Sequence, residues 1–338
     1  MSERKLATVR IIDEVDEIPN ADAIEVCTIG GWKVVAQKGL YKAGDKAVYF
    51  EVDSFIPTSI APFLTKAGHF PKTFNGVEGE RLRTIRLRGQ ISQGLLIPCP
   101  PSYLDDSHIG TDVTEVYGIQ KWEAPISAQL AGTVRGNFPS FMRKTDQERI
   151  QNLKKELAHW IEINSTWECT EKLDGSSMTV YVRDGEFGVC SRNLELKEDE
   201  NNTFWKTALA YNLKEKLLQL GTNIAIQGEL IGPGVQKNIY GLTEHKFYVY
   251  DIFDIDNFTY CTPNERWTIC EKLGLDHVPI IAKQGVIPFT TIESLLAFSE
   301  GKTKLNDKVE REGLVFKCHE EQSSFKVISN KFLLKNGD

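Results

Sequence analysis

The sequence predicts an α+β protein in two parts, a small β-barrel followed by a larger domain built on antiparallel sheet. Three observations carry that expectation. Residues 1 to about 118 read as short apolar runs separated by turn residues, with little helical periodicity. The stretch 121–139 holds Pro125, Gly132, Gly136 and Pro139 and has no sustained period. From Trp167 onward, strand-like and helical runs mix around a directly readable hairpin. The expected organisation is a barrel over 1–120, a linker over 121–139 and a second domain over 140–338.

Within the first part, strands are expected at 7–12, 24–29, 32–36, 47–52, 82–87 and 94–98. Gly30-Gly31 joins the second and third as a hairpin. Five or so strands in about 100 residues suit an OB-type barrel. Arg81, Arg83, Arg86 and Arg88 form its one dense basic run. On a single strand, Arg81 and Arg83 would share one face and Arg86 and Arg88 the other. Together with Trp32, such arginines suit RNA phosphates and bases, although a solvated face explains them equally well.

After the linker, Thr145-Asp146-Gln147-Glu148 fits a capping box, and Ile150, Leu153, Leu157 and Trp160 follow at helical spacing. The second domain is expected to hold strands near 167–171, 177–183, 187–191, 224–231, 246–253, 313–318 and 324–328. Its helices are expected at 203–220, 263–273 and 291–299. Asp184-Gly185 turns the hairpin between the second and third of those strands.

Composition narrows the class. The chain has 338 residues, 41% hydrophobic and 26% charged, as in a soluble globular protein. No apolar run approaches the roughly 20 residues a membrane span requires. The amino terminus lacks the apolar core of a secretory signal, and an intracellular, cytoplasmic setting is expected. Seven cysteines, none in a C-x-x-C pair, support neither a disulfide framework nor a zinc site. A metal would then be a hard, oxygen-liganded ion. The net charge of −7 argues against coating nucleic acid by bulk charge but leaves room for a local basic groove.

Lys172-Leu173-Asp174-Gly175 sits between two strand-like segments. A K-x-D-G match alone arises by chance in roughly one chain in ten of this length. An ordered set follows it: Ser191-Arg192-Asn193, Gly228-Glu229-Leu230-Ile231-Gly232-Pro233-Gly234, Phe247-Tyr248-Val249-Tyr250-Asp251, Glu312-Gly313-Leu314-Val315-Phe316-Lys317 and Ser324-Phe325-Lys326-Val327. In order and spacing these resemble the motifs of the covalent nucleotidyltransferase superfamily, with the phage RNA-editing ligases nearest. With its amino-terminal barrel, the full chain resembles the ATP-dependent RNA ligases of the Naegleria and Deinococcus type. The resemblance implies a nucleotidyltransferase (adenylyltransferase) domain of ATP-grasp-like ligase type, ATP as substrate and Mg²⁺ or Mn²⁺ as cofactor. It also implies a monomer that seals RNA ends, in a nicked duplex or a broken strand, through lysyl-AMP and RNA-adenylate.

The resemblance makes Lys172 the nucleophile, with Asp174, Glu312 and Lys326 as further catalytic groups. It places Glu171, Arg192, Glu229, Tyr250 and Lys317 around ATP or AMP: Glu229 near the ribose, Arg192 on ribose or RNA phosphate, Tyr250 stacked on adenine. Asp174, Glu229 and Glu312 would hold the metal, partly through water. A lysine of ordinary pKa near 10.4 needs roughly 4 kcal/mol of differential interaction to become neutral near pH 7. Burial and the cations Lys317, Lys326 and a metal are the expected source. The phage editing ligases carry a second lysine two residues after Lys326, where this chain has Ile328, so Lys331 becomes the substitute to look for. A GTP-using capping enzyme is disfavoured because only twelve residues follow Lys326, leaving no carboxy-terminal OB module. The other alternative is a non-catalytic RNA-binding protein on a ligase fold.

Overall fold

The computed structural model describes residues 4–122 and 133–336. Much of the expected linker, with Pro125 and Gly132, lies outside the described residues. The chain divides into two compact units. One comprises Met1–Ala124 with Gln151–Lys154 and Leu333–Asp338, and the other comprises Pro125–Ile150 with Lys155–Phe332.

In the first unit, Lys46–Phe50 pairs antiparallel with Ala7–Ile11 on one side and Leu95–Pro98 on the other. Its continuous apolar run is buried on both faces. Val48 and Phe50 pack with Val9 and Ile56, while Ala47 and Tyr49 pack with Ile29, Trp32 and Val34. The Gly30-Gly31 hairpin forms as expected, with Ile29 opposite Trp32 and Gly30 at φ +58°. A second hairpin, Lys72–Phe74 to Val77–Arg81, turns on Asn75-Gly76, both at positive φ. Trp32 is no RNA platform. It is 1% exposed and its indole Nε1 donates to Asn152 Oδ1 at 2.7 Å.

The second unit is built on two sheets. The larger runs, in spatial order, Val134–Asn137, Leu194–Leu196, Glu186–Cys190, Ser176–Arg183, Ile224–Ile231, Lys246–Asp254, Thr259–Tyr260. Met178, Val180, Ile226, Leu230, Phe247 and Val249 point to one face, where helices Thr203–Ala210, Leu213–Leu218 and Pro263–Leu273 cover them. Alternation sends Ser177, Gln227 and Glu229 to the other face. The smaller sheet runs Glu148–Arg149, Ser324–Ile328, Gly313–Cys318, Thr166–Lys172, Ile280–Val286. Ionic contacts join the two sheets. Glu168 is wholly buried; it pairs with Arg266 and accepts from Trp267 Nε1 at 2.8 Å, and Arg266 reaches Asp251 at 3.8 Å. Among the described residues no helix is long and apolar enough to cross a membrane.

Three expectations are corrected. Residues 134–137, assigned to the linker, form an edge strand paired with Leu194–Leu196. The helix expected over 203–220 is two helices, broken where Asn212 takes φ +51°. Thr145 to Glu148 do not cap a helix, which begins only at Lys154. Thr145 Oγ1 is held by Gln227 and Asp251, and Glu148 Oε1 accepts from the Arg149 amide, so neither side chain is available to cap. A complete capping box occurs instead at Thr262 and Glu265, opening Pro263–Leu273.

Candidate active site

Lys172 is the last residue of the strand Thr166–Lys172, and Ser176–Arg183 begins four residues later in the other sheet. The turn between them therefore joins the two sheets at Lys172, and glycines permit the close approach. A side chain at Gly175 would stand 2.5 Å from the Leu230 carbonyl oxygen and 2.9 Å from Glu229 Cγ. At Gly313, opposite Lys172 in the ladder, it would stand 2.2 Å from the Val327 carbonyl oxygen. The glycines of the K-x-D-G and E-G motifs are thus spacers that bring Lys172, Glu229 and Glu312 together. The Asp174 amide donates to the buried Tyr240 hydroxyl at 2.7 Å, and Gln236 Nε2 donates to the Gly175 carbonyl at 3.2 Å. The glycine-rich segment after Glu229 thereby fixes the turn.

Lys172 Nζ donates to Glu312 Oε1 at 2.7 Å. Burial alone would lower the lysine's pKa. The Glu312, Glu229 and Asp174 carboxylates more than offset it and hold the ammonium above the ordinary lysine range. Glu229 responds in the complementary sense. Burial pushes its carboxyl up to about 8, with Glu312 and Asp174 adding to the rise and Lys172 and Arg192 opposing it. The three acids expected at the site thus act on Lys172, and neither of the expected cations, Lys317 and Lys326, is among the groups that chiefly set its charge.

Lys317 stands beside Tyr250 rather than beside Lys172, with Nζ 5.9 Å from the centroid of the Tyr250 ring. It pairs opposite Glu168, about 13 Å along the strand from Lys172 at the usual strand rise. Its ammonium is bonded to Asp251 Oδ1 at 2.5 Å and to the Tyr250 carbonyl. Its pKa is lowered by burial, and its charge is spent on the inter-sheet network. Lys331 does not replace the missing second lysine, because it pairs with Glu300 at 2.7 Å. Ile328 is buried opposite Gly313. Glu171, next to Lys172, faces the opposite side of the strand, where Oε2 accepts the Lys304 amide at 2.9 Å and Oε1 is buried without a hydrogen bond. Burial raises its pKa.

Lys326 and Arg192 do converge, through a residue assigned to a helix cap. Lys326 Nζ stands 3.1 Å from Asp146 Oδ1, and Arg192 Nη2 stands 3.5 Å from Asp146 Oδ2. Tyr250 is half-buried. Its hydroxyl is 2.7 Å from Ser177 Oγ, and its ring packs beside Leu173, Ile231 and Tyr240. That leaves an aromatic surface next to the Lys172 turn. Asp146, Tyr240 and Ser177 are the residues sequence reasoning missed. Only Tyr240 carried a signal, its place just beyond the glycine-rich run that starts at Gly228.

Among the described residues no three His, Cys, Asp or Glu side chains form a ready-made metal cage. The donor set nonetheless fits a hard divalent ion held mainly through water. Glu312 Oε2 is buried without a hydrogen-bond partner, and Glu229 and Asp174 act on the same lysine.

In the first unit the arginine run is split. Arg81 ends the strand Val77–Arg81 and its Nη2 binds Asp53 Oδ1 at 2.7 Å, so it serves the unit's own structure. Arg83, Arg86 and Arg88 are exposed, and Arg88 sits in the turn of the hairpin Thr84–Leu87 to Gln90–Gln93 at φ +48°.

Two sheets meeting at a lysine ringed by carboxylates define the nucleotidyltransferase domain of a ligase. Residues 165–328 match the RNA ligase family, and residues 6–99 match an OB-fold domain. Among solved structures, the chain is similar to Naegleria gruberi RNA ligase with PPi, at 44% identity and TM-score 0.89 over 98% of each chain. It is likewise similar to a variant of that ligase with ATP and Mn, at 44% identity and TM-score 0.90 over 99% of this chain and 100% of that one. A variant with AMP and Mn matches at 44% identity and TM-score 0.89 over 98% of both. Comparison with curated proteins returns no match. The chain belongs to the RNA ligase family.

Proposed function

We propose that this ATP-dependent RNA ligase uses Lys172 as its nucleophile and joins a 3′-hydroxyl to a 5′-phosphate at nicked or broken RNA. The observation that carries the reading is the Lys172 ammonium hydrogen-bonded to Glu312 between the two sheets. Its relatives bind the matching ligands: PPi in one Naegleria structure, ATP and Mn or AMP and Mn in others.

The chain's own groups define the steps. Lys172 Nζ, hydrogen-bonded to Glu312, gives up its proton before it attacks. The neutral amine attacks the α-phosphorus of ATP, a P–N bond forms, the α–β P–O bond breaks and pyrophosphate leaves. The RNA 5′-phosphate then displaces Lys172 from the adenylyl phosphorus. Finally the 3′-hydroxyl attacks the activated 5′-phosphate and AMP departs. Lys326 and Arg192 stabilise the charge that develops on the phosphate. Tyr250 presents its ring to the adenine. Asp174, Glu229 and Glu312 would hold Mg²⁺ or Mn²⁺, partly through water, and the bound ion would supply positive charge that offsets the carboxylates. Arg83, Arg86 and Arg88 of the first unit contact RNA phosphates.

The test compares sealing of 5′-phosphorylated single-stranded RNA, nicked RNA duplex and nicked DNA with ATP or GTP. Sealing of an RNA substrate with ATP is expected. A preference for GTP, or sealing confined to nicked DNA, would reject the assignment.

A further inference from the structure

The segment Arg143 to Asp146 is fastened across the working faces of both sheets. The Arg143 carbonyl accepts from Gln227 Nε2 at 2.6 Å. Lys144 Nζ donates to Asn193 Oδ1 at 2.9 Å, and Thr145 Oγ1 donates to Asp251 Oδ2 at 2.9 Å. Asp146 ends this strap with its two carboxylate oxygens divided between Lys326 at 3.1 Å and Arg192 at 3.5 Å. Lys326 lies on a strand of the smaller sheet and Arg192 in the bend between Glu186–Cys190 and Leu194–Leu196 of the larger, so no local hairpin or ladder holds them together. A carboxylate shared between an ammonium and a guanidinium has the charge and the spacing of a phosphate with two bridged oxygens. Asp146 is also only partly buried, with 35% of its side chain exposed, so the strap can yield without breaking a core.

We propose that Asp146 is a built-in phosphate substitute. It holds Lys326 and Arg192 together, and the nucleotide's α-phosphate displaces it to reach them. Asp146 is thus a positioning residue that sets how tightly the triphosphate binds. The inference rests on the assignment of Lys326 and Arg192 to the nucleotide phosphate. Its sign follows from charge: with the carboxylate gone, an incoming phosphate no longer competes with a resident anion or meets its repulsion.

The experiment measures binding of an ATP analogue with a methylene α–β bridge, with Mg²⁺, to the full chain and to D146N, D146A and D146E. This analogue cannot transfer its adenylyl group, so binding is read apart from chemistry. D146N and D146A are expected to bind about fivefold tighter, the scale of two partly exposed ion pairs no longer in competition. D146E, which keeps the charge, is expected to stay near the parent. The lead should shrink as salt rises, since the competing pairs are screened. Equal or weaker binding by D146N and D146A would overturn the proposal and leave Asp146 a structural strut. So would D146E binding as tightly as D146N. Thermal unfolding of each variant separates a folding defect from a binding change. Failure of the parent to form lysyl-AMP with ATP would instead count against the ligase assignment itself.

Discussion

At the scale of single residues, the governing fact is the electrostatic setting of Lys172. On the proposed reading the Lys172 amine must lose its proton before it attacks, yet it sits among acids that favour the charged form. This gives a signed pH prediction. Lys172 is held above the ordinary lysine value, so the rate of lysine adenylylation rises with pH across the neutral and alkaline range. E312Q removes one of the acids that hold the proton, which shifts the rising limb towards lower pH even if the maximal rate falls. Single-turnover adenylylation from pH 6 to 10 checks this; an unshifted limb would separate Glu312 from the lysine's titration. The sequence displayed Lys172, Asp174, Glu229, Glu312 and Lys326 through their motifs. It could not display Asp146, whose pairing spans 180 residues to Lys326. Nor did it show that Lys317 is paired with Asp251, because the partner lies on a strand of the other sheet.

At the scale of elements, the site exists because strands approach closely where the motifs carry glycine. G313A is the sharpest probe, since its methyl group meets the Val327 carbonyl at 2.2 Å. Forcing atoms into such a contact costs about 1–3 kcal/mol. The same displacement moves the strand that carries Glu312 away from Lys172. G313A is therefore expected to lower both the unfolding midpoint in urea and the adenylylation rate, and a variant matching the parent in both would contradict the spacer role. Strands with strong apolar or alternating patterns, such as Ile224–Ile231 and Gly313–Cys318, were legible at their observed bounds. Short pieces such as Leu194–Leu196 were not, because pairing rather than pattern creates them. The hairpin at Asn75-Gly76 was legible in principle, since Asn-Gly is the strongest short turn signal. The Thr145 box failed for a different reason: tertiary hydrogen bonds outcompeted the local cap.

At the scale of the whole molecule, the chain combines an adenylylating domain with an OB-fold unit. Lys172, Asp174, Glu229, Glu312, Arg192 and Lys326 all belong to the second unit, whereas the exposed Arg83, Arg86 and Arg88 belong to the first. Replacing those three arginines by alanine is expected to weaken RNA binding and flatten its salt dependence, by a slope of up to about 2–3. Adenylylation of Lys172 in the absence of RNA is expected to be unchanged. Filter binding over a salt series checks it, and an unaltered slope would return the arginines to a solvated face. The two-part architecture was readable from strand density and turn residues. The recruitment of Gln151–Lys154 into the first unit was not, since those residues lie inside what read as one helix.

The most direct measurement is to locate the adenylyl group. Incubation with ATP and Mg²⁺, followed by proteolysis and mass spectrometry, should find a single AMP adduct on the peptide containing Lys172, stable to base and released by acid as a P–N bond requires. Lys172→Met should carry none. An adduct on another lysine, or an adduct that persists in Lys172→Met, would contradict the account.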